Sequence, residues 1–198
     1  MGMLIKNDFE VAQPIDKVWT FFDDIPGVAA CLPGTQLTDD LGNDEYAGQV
    51  AIRMGPVKLE FDGTAKIVER DEAGKRITVD AAGADAKGRG NAAMLVTAGL
   101  VPTGRGTKVD VGMDLQLSGA AAQYGRGMVG DVTAVLMRDF ATNMQARIEA
   151  IEQGLSPDQI ASAAPASGFG IAFTALKMAL GRVAARFFLP YRPARAGG

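Results

Sequence analysis

Hydrophobic and polar positions alternate through the first two thirds of the chain, then switch to a helical period near residue 127. The stretch from Thr107 is the clearest: Val109, Val111, Met113, Leu115 and Leu117 share one face, and Lys108, Asp110, Asp114 and Gln116 share the other. Such a strand turns one face to a core. Comparable runs predict strands at 3–12, 36–40, 45–54, 57–69, 76–86, 88–101 and 107–118. Gly42-Asn43, Gly55-Pro56, Asp71 to Gly74 and Gly104 to Gly106 mark short connections, so consecutive strands should pair antiparallel as a meander. Pro14 opens a short helix carrying Val18, Trp19, Phe21 and Phe22; a second spans Ile25 to Cys31, and Pro33-Gly34 ends it.

Beyond Gly127, the residues Met128, Val132, Val135, Leu136, Phe140, Met144, Ile148 and Ile151 form an apolar stripe that predicts a long closing helix. A twisted antiparallel sheet of seven strands curls around such a helix to bury both apolar faces, which makes the fold class α+β. Small residues at Ala92, Ala93, Ala98, Gly99 and Gly112 predict a space between sheet and helix. The bulky candidates for its wall are Phe21, Phe22, Met54, Phe61, Met94, Met113, Met128, Val132 and Phe140, residue types that serve a packed core equally well. Tyr46 and Tyr124 are candidates to offer a hydroxyl to a ligand carbonyl.

Charge divides the chain. Residues 1–154 hold 15 Lys and Arg against 22 Asp and Glu, a net of −7, whereas residues 155–198 hold five cations against Asp158 alone, a net of +4. This reads as an acidic domain (1–154), an Ala/Ser/Pro linker (155–168) and a basic tail (169–198). In the tail, Phe169, Phe173, Leu176, Leu180, Val183, Phe187 and Phe188 recur at steps of mostly three or four, with Lys177, Arg182 and Arg186 on the other side. A basic amphipathic helix of this kind lies in a membrane interface: each buried cation would cost roughly 2.5–3.5 kcal/mol at the centre of a bilayer but contributes about 1 kcal/mol beside anionic lipid. Packing on a partner protein, or on its own domain, remains the alternative.

Several functions are excluded. With no histidine and a single cysteine, Cys31, the chain cannot build a Ser-His-Asp or Cys-His site, a His-ligated metal or an internal disulfide. An overall charge of −3 gives no footprint for nucleic acid. The N-terminus meets charge at Lys6 and Asp8 before any apolar run, so a cytoplasmic protein is expected. Gly125, Gly127 and Gly130 satisfy G-x-G-x-x-G, but no parallel strand is expected after that helix, so close helix packing on the sheet is the expected reason for glycine there. The pairs Asp23-Asp24 and Asp39-Asp40 read as solvated loop charge.

The order of these elements, with Val18-Trp19, Cys31-Leu32-Pro33-Gly34, Met54-Gly55-Pro56-Val57-Lys58, Leu117-Ser118-Gly119 and Gln123-Tyr124-Gly125-Arg126, resembles CoxG, a family of carbon monoxide dehydrogenase subunits within the START-like polyketide cyclase (SRPBCC) superfamily. The resemblance covers residues 3–152. It implies a helix-grip fold around a hydrophobic cavity, no metal or catalytic residues, and association with a carbon monoxide dehydrogenase-type molybdenum hydroxylase at the cytoplasmic membrane. The expected function is therefore non-enzymatic: a protein on the inner face of the membrane that binds a lipophilic small molecule, a respiratory quinone or similar lipid, with no covalent cofactor. A polyketide cyclase or aromatase-type enzyme and a purely structural recruitment factor are the alternatives.

Overall fold

The computed structural model describes residues 2–54 and 57–155. Strands β1 (Gly2–Val11), β2 (Thr35–Gly42), β3 (Glu45–Met54), β4 (Val57–Asp71), β5 (Arg76–Asp85), β6 (Asn91–Thr103) and β7 (Gly106–Leu117) form one sheet in the order β1-β7-β6-β5-β4-β3-β2. Every pairing is antiparallel. The meander from β2 to β7 follows chain order, and β1 lies along β7 with Gly2 opposite Gln116 and Val11 opposite Thr107. Helices α1 (Ile15–Phe21) and α2 (Ile25–Cys31) connect β1 to β2, and α3 (Arg126–Glu152) follows the sheet after a short 3-10 turn at Gly119–Gln123.

Local chemistry accounts for the connections. The β2–β3 turn has two residues, Asn43 and Asp44, at φ 53 and 58, the left-handed pair a type I′ hairpin requires and Asn and Asp tolerate. Asp24, read from the sequence as loop charge, is instead the N-cap of α2 and accepts from the Gly27 amide at 3.1 Å, while Asp23 pairs with Arg70. Gly34, at φ +77, carries the chain from α2 into β2 so close to β3 that a Cβ would stand 2.3 Å from the Ala51 carbonyl oxygen.

Two apolar clusters hold the domain. In one, α1 and the strand residues Phe9, Val11, Leu100 and Val109 pack on Phe140, Met144 and Ile148 of α3, with the Phe9 and Phe140 rings edge to face at 5.7 Å. In the other, Met3, Ile5, Leu59, Met113, Leu115 and Leu117 meet Ala121 and Val129. Polar ties fix α3 to its neighbours: the Asn143 amide donates to the Cys31 carbonyl at 3.0 Å, Gln145 accepts from the Ala12 amide at 2.8 Å, and Glu152 pairs with Lys17.

The inward face of α3 corrects the expected stripe. Val129, Thr133, Phe140, Met144 and Ile148 are buried, whereas Met128, Val135 and Ile151 are 45–50% exposed. Thr133, outside the expected stripe, can face inward because its hydroxyl is satisfied by the Val129 and Gly130 carbonyls.

Candidate functional site

Between the two clusters the sheet and α3 do not meet. On the inward face of the central strands, the positions alternate as Gly63, Ala65 and Ile67 on β4, Val79, Ala81 and Gly83 on β5, and Ala92, Met94 and Val96 on β6. Many of these side chains are too short to reach the helix. The result is a cavity of about 420 Å³, closed on the α3 side by Val129, Val132, Thr133, Leu136, Met137 and Phe140. Gly48, Gly63 and Gly83 stand opposite one another on β3, β4 and β5. A Cβ on Gly63 would lie 2.1 Å from the Ala82 carbonyl oxygen, so these backbones approach more closely than any side chain allows.

The wall is almost wholly apolar. Its hydroxyls include those of Tyr46 and Tyr124, neither of which makes a hydrogen bond with another described residue. Burial, and then the carboxylates of Asp40 and Asp44, push the Tyr46 phenol above its ordinary pKa, so it stays protonated and able to donate to an acceptor on a guest. Cys31 is 2% exposed, and burial raises its thiol to about 11, which keeps it an inert filler between α2 and α3. Among the described residues no cluster of potential ligands could hold a metal ion. The buried acid Asp85, at the end of β5, is fully engaged: it accepts from the Lys87 and Arg89 amides and from the Arg89 guanidinium at 2.7–2.8 Å. These bonds, led by the guanidinium, hold its carboxyl well below the usual range. Arg89 also donates to the Lys58 carbonyl, stapling the β5–β6 connection to β4.

Of the residues expected around the space, Phe22, Tyr46, Phe61, Met94, Met113, Tyr124, Val132 and Phe140 come together on this wall. Phe21 does not: it is buried in the cluster around α1. Met128 faces out, whereas Val132, Leu136, Phe140, Met144 and Ile148 of the same expected stripe face inward. Met54 ends β3, and its side chain lies outside the described residues. Among the small residues, Ala92 and Ala98 line the cavity, whereas Ala93, Gly99 and Gly112 fall on the opposite strand parity. Sequence reasoning missed Leu32, Leu37, Ile52, Leu59 and the glycine row; pairing β3 with β4 through their short turn would have aligned Gly48 with Gly63, but Gly83 stands opposite Gly63 only because the β4–β5 register shifts between Ile67 and Glu69. Gly125, Gly127 and Gly130 have open space where a Cβ would be, so close packing, the expected reason for them, is not the cause. The tail from Phe169 to Phe188 and the linker from residue 156 lie outside the described residues.

Residues 8–149 match the family model of CoxG, described as a subunit of carbon monoxide dehydrogenase. The chain belongs to this family. The CoxG family is named for carbon monoxide dehydrogenase, which associates the chain with that enzyme. Solved structures share its fold, which is START-like. A conserved protein from Geobacillus kaustophilus aligns with a TM-score of 0.66 at 21% identity, over 74% of this chain and 95% of that one. An aromatase/cyclase from Streptomyces sp. R1128 aligns at 0.54 and 14% identity, over 76% and 95%. A protein from Thermus thermophilus gives 0.53 and 15%, over 75% and 99%. A comparison with curated proteins finds no match.

Proposed function

We propose that this CoxG chain is a non-enzymatic carrier that holds a lipophilic molecule, a respiratory quinone or similar lipid, between its sheet and α3. It works beside a carbon monoxide dehydrogenase-type molybdoenzyme on the inner face of the cytoplasmic membrane, with the basic tail as its reversible tether. The observation that carries this reading is the hollow itself: about 420 Å³ of apolar space between the sheet and α3. That volume falls within the roughly 300–1,000 Å³ of ordinary small-molecule sites. It accommodates a ring with the first part of a chain, and the two tyrosine hydroxyls suit a guest with oxygen acceptors. The motive is physical, since a dehydrogenase in water must pass electrons to a carrier that stays in lipid. Among the described residues no helix is long and apolar enough to cross a membrane.

Extraction of the purified chain into organic solvent, followed by mass spectrometry, tests the guest. A quinone is the expected product; a protein that carries nothing and takes up no added short-chain quinone would leave only the structural recruitment role. Liposome flotation of the full chain against one ending at Gly154 tests the tether, and equal flotation of the two removes it.

A further inference from the structure

We propose that the rim around one end of the cavity, formed by the β3–β4 strand ends, the β5–β6 connection and the first turn of α3, is a docking surface for anionic lipid, distinct from the tail. The cations alternate with the wall residues of the cavity. Arg53 follows Ile52, Lys58 precedes Leu59, Lys87 and Arg89 join Gly83 to Ala92, and Arg126 comes two residues after Tyr124. Backbone and side-chain bonds tie the β5–β6 connection to β4 and to the 3-10 turn that leads into α3: Arg89 to the Lys58 carbonyl at 3.0 Å, the Ala86 amide to the Glu60 carbonyl at 2.7 Å, and the Ala120 amide to the Arg89 carbonyl at 2.6 Å.

This rim holds five cations, Arg53, Lys58, Lys87, Arg89 and Arg126, against two anions, Glu60 and Asp85, while the rest of residues 1–154 holds ten against twenty. The domain is therefore acidic overall but polarised, with its positive end around the cavity. Lys58 is paired with Glu60 and Arg89 with Asp85, whereas Lys87 and Arg126 form no ion pair with a described residue. Asp131 follows only a turn further along α3.

The start of α3 breaks a local rule in the same direction. It has no side-chain cap and no acid in its first turn, and Arg126 stands where the helix dipole already presents positive charge. Gly125, Gly127 and Gly130 leave open space around that turn, and Met128, 45% exposed, offers an apolar side chain among the cations. A cationic ring with an exposed methionine is suited to the lipid headgroup boundary, where charge and apolar contact add. Docking here brings the end of the cavity to the membrane, so that a guest could pass without crossing water; only that purpose rests on the carrier reading.

Full-length chain and its K87E/R126E variant, both substitutions outside the cavity wall, are compared for binding to phosphatidylcholine vesicles with and without phosphatidylglycerol. The K6E/R105E variant carries the same net charge and serves as control. Uptake of diphenylhexatriene, read separately, reports whether the cavity accepts a lipophilic guest. The expected result is that K87E/R126E loses about tenfold or more in affinity for the phosphatidylglycerol vesicles, while K6E/R105E stays within twofold of the native chain and all three take up the dye alike. Equal losses in both variants would reduce the effect to net charge and overturn the rim; so would unchanged binding by K87E/R126E, with the tail or an acidic protein partner left as the alternative. Failure of the dye to enter the native chain sinks the carrier reading but leaves the vesicle comparison to decide the rim.

Discussion

The packed end and the hollow middle of the domain are built from the same strands, yet they do opposite things. Around α1, large side chains such as Phe9, Trp19, Phe21 and Met144 interlock with almost no exposure. A few residues along the same sheet, glycine and alanine take the inward positions, and α3 spans an empty space. Stability is concentrated where volume is filled, and capacity for a guest where it is withheld. Substitutions should therefore separate the two: losses of volume will cost folding at one end, and gains of volume will cost binding in the middle.

Met144→Ala, at the fully buried centre of the packed end, should have the largest effect. Its loss of about 2–5 kcal/mol would be read by urea unfolding. Gly63→Ala comes next, since its Cβ would stand 2.1 Å from a backbone oxygen and the strands must part; a cost of about 1–3 kcal/mol is expected in the same assay. Ala81→Leu, pointed into the hollow, should change stability by less than about 1.5 kcal/mol while sharply reducing quinone or dye uptake, the reverse of Met144→Ala. A variant that unfolds instead would show that the space is not available to side chains.

Acid unfolding sharpens the comparison at the rim. The folded carboxyl of Asp85 is more acidic than an ordinary one, so its stabilisation is complete above the unfolded value of about 3.9 and is lost as pH falls from there towards the folded value. Asp85→Asn should already lack that stabilisation at neutral pH and show a shallower fall below pH about 4, measured by thermal unfolding. The smallest effect concerns Cys31: with its thiol raised to about 11 and buried, the native chain should resist thiol reagents at neutral pH and react only on unfolding.

The sequence alone determined the seven strands, the antiparallel order from β2 to β7 and the inward face of β7, because a period of two and tight turns leave little freedom once one face must be buried. It also gave most of the bulky wall, from Phe22 to Phe140. Tertiary structure decided the rest, including that β1 closes against β7. Which ends and edges of the α3 stripe face inward, with Met128 and Val135 outward and Thr133 inward, depended on what the sheet offered to each side of a helix with apolar residues on more than one face. The hollow depended on pairing: Gly48, Gly63 and Gly83 are far apart in the chain, and only the register of three strands places them side by side. Empty space has no local signature, because it results from what neighbouring strands together fail to fill.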